Sequence, residues 1–109
     1  MKIPADAIIP EEKFTRYLLV KRDFDDKSQY LKKAGYTIEN YSILINDIKS
    51  MIIQNEAIED KTDEYGTFYT VTGKLTGTSN QNLRVTTIWM KRKADGVFQF
   101  ITLIPERRI

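Results

Sequence analysis

Apolar positions recur at spacings of three and four in the first half of the chain and at spacings of two in the second. Phe14, Tyr17 and Leu18 form one stripe, with Pro10 suited to a first helical turn, Glu11 and Glu12 near the positive end of the dipole, and Lys21 and Arg22 near the negative end. This pattern predicts a helix over about residues 10–20. An acidic turn follows, Asp23-Phe24-Asp25-Asp26. Asp26 followed by Gln29 is a capping-box pattern, which predicts a short helix over Lys27–Ala34, closed by Gly35 in a left-handed conformation. Thr37 then caps a longer helix whose buried face is Ile38, Tyr41, Leu44, Ile45, Ile48, Met51 and Ile52, ending at Asn55 and Glu56.

The period changes near residue 68. Tyr69, Val71 and Leu75 alternate with polar neighbours. Leu83, Val85, Thr87 and Trp89 form a second alternating run, and Phe98, Phe100, Thr102 and Ile104 a third. Gly77-Thr78-Ser79-Asn80 and Ala94-Asp95-Gly96 are the turns between them, and a further short strand is expected near Ala57–Asp60. Helices followed by strands predict an α+β fold, with three N-terminal helices packed on one face of a C-terminal antiparallel meander of three to four strands. No linker, repeat or low-complexity tract interrupts the chain, so residues 1–109 are read as a single domain.

Composition narrows the chemistry more than the fold. The 109 residues include no cysteine and no histidine. This excludes disulfides, a thiol nucleophile, an imidazole acid–base pair and any metal site built on those ligands. The Asp23–Asp26 cluster lacks the glycine and distal glutamate of a calcium loop, and Gly73-Lys74 lacks the preceding glycine of a phosphate-binding loop. No metal and no cofactor is therefore expected. No apolar run reaches the about 18–20 residues that cross a bilayer, and the first residues lack a secretory h-region, so the chain reads as a cytoplasmic protein without a membrane partner.

Charge is divided unevenly: residues 1–66 carry a net −3 and residues 67–109 a net +5. A basic half can attract phosphates or an acidic partner. Lys27, at the start of its helix, and Arg84, mid-strand, are the candidate cations for an anionic ligand, a guanidinium matching phosphate in bidentate fashion. With histidine absent, proton transfer falls to Lys27 or to a tyrosine, Tyr65 or Tyr69. An ordinary lysine, near pKa 10.4, is a poor base at neutral pH, so such a role requires a perturbing environment. Lys91, Arg92 and Lys93 are a candidate phosphate-facing patch; the alternative is a solvated hairpin tip. For Trp89, beside Val85 on one strand face, core packing is expected.

Four stretches carry a resemblance to a bacterial domain-of-unknown-function family common in cyanobacteria. They are Phe14–Leu19; Lys27–Thr37, similar to a "GK…F…LG.T" segment; Tyr65–Val71, similar to "YG..Y.V"; and Val85–Trp89 with Phe100–Pro105, similar to "V.TVW…LVTAYP". The chain departs from these patterns at Asp26, where glycine is frequent, and at Leu103-Ile104, where an Ala-Tyr pair is usual. The resemblance implies a component of a toxin–antitoxin-type gene pair with a small cognate protein partner, and a plan similar to the barnase/RelE-like ribonuclease fold. On that basis Thr87 and Thr102 match the family's strand threonines and become candidate binding residues. Two functions stay open. One is a metal-independent, RNA-directed nuclease of toxin type, with Arg84 holding the phosphate beside Lys27. The other is a non-catalytic, immunity-like or partner-binding module. The sequence leaves open whether the protein is an enzyme.

Overall fold

The computed structural model describes residues 1–23, 26–78 and 82–106. Phe24 and Asp25 of the acidic turn, and Ser79 and Asn80 of the first hairpin turn, lie outside the described residues. The architecture is α+β with a four-stranded antiparallel sheet: β1 (Ile58–Thr62), β2 (Gly66–Leu75), β3 (Leu83–Arg92) and β4 (Phe98–Pro105), in the order β1-β2-β3-β4. The short strand expected at 57–60 is present, shifted to 58–62.

The helical segments differ from expectation in length and type. Over residues 10–20 the regular structure is a π-helical turn, Phe14–Leu18, in which Leu19 N donates to Phe14 O at 3.0 Å. An i→i+5 turn is wider than an α-turn. It brings Phe14, Leu18 and Leu19 into the core and leaves Tyr17, expected on the same apolar stripe, 52% exposed. The next helix, α1, covers only Ser28–Lys32. Ser28 donates to Asp26 Oδ1 through both its amide (3.1 Å) and its hydroxyl (2.6 Å), so the cap pairs Asp26 with Ser28 rather than Gln29. Gly35 ends this segment with φ of 88°, the left-handed region where a side chain is strained. A 3₁₀ turn, Ile38–Asn40, leads into α2 (Tyr41–Gln54), the longest helix. Among the described residues, no helix is long and apolar enough to cross a membrane.

Leu44, Ile48, Met51 and Ile52 form the buried stripe of α2. The helix approaches β2 at Gly73, where a Cβ would lie 2.8 Å from Met51 Cγ and from Asn55 Nδ2. Glycine is what allows this contact. Trp89 and Phe100 are completely buried and meet edge to face at 5.3 Å, and Phe14 stacks on Phe100 at 5.2 Å. Each such pair adds about 0.5–1.5 kcal/mol beyond area burial. Tyr36, also buried in the core, donates its hydroxyl to Asp47 on α2 and accepts from Gly77 N at 2.9 Å. Burial and the Asp47 carboxylate push its phenol above the ordinary tyrosine range.

The two sheet edges are finished differently. At β4, Ile8 adds a parallel bridge: Ile8 N donates to Phe98 O and Phe100 N to Ile8 O, both at 2.8 Å. All five residues of β1 are exposed, its ladder to β2 is irregular between Glu59 and Thr62, and it carries Glu59, Asp60 and Lys61. A short, bulged, charged edge discourages unplanned strand pairing.

Candidate functional site

Antiparallel register sets which side chains share a face. The pairings Ile58↔Thr70, Thr70↔Ile88 and Ile88↔Thr102 lay one row across the sheet, ending at Thr102 on the β4 edge. The β3–β4 ladder shifts register between Ile88 and Trp89, so Ile101 is an extra residue beside Thr102. A bulge of this kind bends its strand and re-aims side chains, and bulges concentrate at edges and beside active sites. Ile101 and Thr102 form part of a cavity of about 340 Å³ whose other walls are Lys13, Tyr17, Leu18, Arg22 and Lys27.

Lys27 immediately precedes α1 and reaches across this cleft, where Lys27 Nζ donates to Thr102 Oγ1 at 3.2 Å. The two residues are 75 positions apart in sequence. Two features hold Lys27 there. Asp26 fixes the start of α1 through Ser28, and Tyr30, on that helix, donates its hydroxyl to the Arg84 carbonyl at 2.8 Å. The Ser28 hydroxyl bond holds the Asp26 carboxyl below its usual range. In the same cleft, the Arg22 guanidinium lies over the Tyr17 ring, 5.6 Å from its centroid. Among the described residues lining the cleft, Lys13, Arg22 and Lys27 are cations and none is acidic. A hydroxyl that accepts from an ammonium keeps its own proton to donate. The cleft can therefore surround an anion with cationic groups and an O–H donor.

Of the residues expected from sequence, the structure brings Lys27 and Thr102 together and separates the others. Arg84 does not line the cleft. Its Nε faces Glu106 Oε2 at 3.4 Å, and it lies four residues along β3 from the partner of Thr102, roughly 13 Å by strand rise. The pairing of Lys27 with Arg84 is thus replaced by Lys27 with Lys13 and Arg22. Thr87 is fully buried, donating to Val71 O at 3.1 Å and accepting from Trp89 Nε1 at 2.8 Å, which accounts for a threonine in the core. Tyr69 is buried against Phe98, with ring centroids 5.4 Å apart. Tyr65 is exposed before β2, its carbonyl accepting from Lys93 N at 2.9 Å. Lys91, Arg92 and Lys93 border a separate groove with Thr62, Gly66, Thr67 and Gly96.

Lys13, Tyr17 and Arg22 were not singled out as site residues by the sequence pattern. The apolar spacing places Tyr17 on the buried stripe, and Arg22 suits the negative end of a helix. The π-turn leaves Tyr17 exposed, and a propensity pattern does not distinguish that turn from an α-helix. Among the described residues, no group of three or more metal-ligating side chains gathers in one place.

Residues 4–107 match the model of a family described as a domain of unknown function, DUF6883. No curated protein matches the chain. Among solved structures, a chain of a contact-dependent growth inhibition toxin–immunity protein complex from Klebsiella pneumoniae 342 superposes with a TM-score of 0.70 at 20% identity, covering 95% of this chain and 97% of that one. At that identity, the likeness concerns the fold.

Proposed function

The chain belongs to the DUF6883 family, and from that premise we propose that it acts as a toxin-type domain that cleaves RNA without histidine. The observation that carries this reading is the Lys27–Thr102 hydrogen bond at 3.2 Å on the wall of a cleft that also gathers Lys13 and Arg22. Its fold-level likeness to a chain of a toxin–immunity complex supports a toxin- or immunity-type role, and the cationic cleft favours the toxin. In the proposed reaction an RNA 2′-oxygen bonds to the adjacent phosphorus as the P–O5′ bond breaks. The 2′ proton passes to solvent, and the ammonium of Lys27 gives a proton to the departing O5′ and is restored from water. Arg22 and Lys13 hold the phosphate oxygens, and the Thr102 hydroxyl donates to the charge that develops there. Aimed donors of this type supply a large part of enzymatic rate enhancement.

A second reading, an immunity-type binding module with a small protein partner, draws on the uncovered β1 edge, where Ile58 is 67% exposed. Expression of the chain alone in a bacterial host, with RNA integrity and growth as readouts, separates the two. Growth arrest with RNA cleavage, lost in Lys27→Ala and reduced in Thr102→Val, is the expected result. Normal growth and intact RNA with folded wild-type protein would overturn the nuclease reading. Protection of a host against a co-expressed toxin would establish the second.

A further inference from the structure

We infer that Tyr17 and Arg22 form a subsite for one unpaired nucleobase, so that the cleft takes single-stranded RNA in preference to a duplex. This rests on the phosphodiester reading of Lys27 and Thr102 and adds to it the part of the ligand that the cations do not address. Three observations point the same way. First, Tyr17 is 52% exposed in a segment whose neighbours Phe14, Leu18 and Leu19 are buried, so its ring is turned out by the backbone rather than left over from packing. Second, the Arg22 guanidinium lies over one face of that ring at 5.6 Å, which makes a layered π–cation surface. Third, both side chains line the same cavity as Lys27 and Thr102.

Aromatic rings and guanidinium planes are the groups on which unstacked bases settle, because every base offers a π-face. The cavity, about 340 Å³, lies at the small end of ligand pockets, which run from roughly 300 to 1,000 Å³. That space suits one nucleotide unit and not the width of a helix. A base held inside a duplex cannot reach such a platform without leaving its stack. Tyr17 thus selects for strand state, while Lys13 and Lys27 supply sequence-independent attraction to the backbone.

The test is fluorescence anisotropy of a short 2′-O-methyl RNA, which cannot be cleaved, in single-stranded and duplex form. Tyr17→Ala is expected to weaken single-strand binding by about 5- to 150-fold, the range for losing one base stack. Duplex binding should stay within about two-fold. Tyr17→Phe and Tyr17→Trp retain a ring and should bind within a few-fold of wild type, which separates stacking from loss of fold. In cleavage assays, the Tyr17→Ala defect should appear in KM before kcat. Single-strand binding by Tyr17→Ala equal to wild type, with Lys27→Ala weakened, would overturn the subsite and leave the phosphodiester reading standing. A wild-type protein that neither binds nor cleaves RNA would overturn both.

Discussion

At the β4 edge, Lys13, Arg22 and Lys27 come from three separate places in the sequence and converge on one cleft. At the β3–β4 tip, Lys91, Arg92 and Lys93 are consecutive and border a groove of their own. Arg92 Nε and Nη2 donate to Gln99 Oε1 at 3.1 and 2.8 Å, and its Nη1 pairs with Asp95 at 3.3 Å. Lys91 Nζ lies 5.9 Å over the Phe98 ring. Lys91 and Arg92 close β3 and Lys93 opens the turn, so this cluster follows directly from sequence order. A bulge, a π-turn and a short helix can instead gather charges that the sequence disperses. Arg92 is engaged by Gln99 and Asp95, whereas Lys13, Arg22 and Lys27 share their cleft with the Thr102 hydroxyl.

Substitutions on both sides can break this contrast. Lys27→Ala should lower RNA cleavage by about 100- to 1,000-fold, the usual cost of removing one donor aimed at developing charge. Its thermal midpoint should change little. Arg92→Ala should do the reverse. It gives up the Gln99 and Asp95 contacts at a cost of about 1 kcal/mol in chemical denaturation, with cleavage unchanged. The double variant Lys91→Ala with Lys93→Ala should reduce cleavage by less than about two-fold at physiological salt, where distant surface charges are screened. A loss comparable with that of Lys27→Ala would erase the contrast.

Acid offers a finer probe of the cleft. The Asp26 carboxyl is held below its usual range by the Ser28 hydroxyl. A group with a depressed folded-state pKa contributes stability above its unfolded value, near 3.9, and that contribution is lost as pH falls through the folded value. The protection factor of the Ser28 amide, its exchange relative to the unstructured rate at the same pH, should therefore fall below about pH 4 as the start of α1 loosens. Steady protection through that range would remove Asp26 as the support for Lys27.

Much of the sheet was legible from the alternation in Val85, Thr87 and Trp89, because a period of two forces one face inward, and Trp89 is fully buried. The left-handed Gly35 was legible for a similar reason, since few other residues adopt φ of 88°. Lys27 and Thr102 were each visible as chemistry, but their contact spans 75 residues and depends on the extra residue at Ile101, which local pattern does not reveal. Arg84 misled because its partner, Glu106, lies on the far side of a hairpin. Tyr17 was hidden by a turn whose single added residue redirects a side chain from core to cleft.

The central claim is that the β4-edge cleft, and not the basic hairpin tip, receives RNA. Its most direct test is a map of backbone amide shifts by NMR during titration with a 2′-O-methyl RNA tetranucleotide. The account predicts that the largest shifts fall at Lys13, Tyr17, Arg22, Lys27, Ile101 and Thr102. Shifts centred on Lys91–Lys93, or none at saturating RNA, would contradict it.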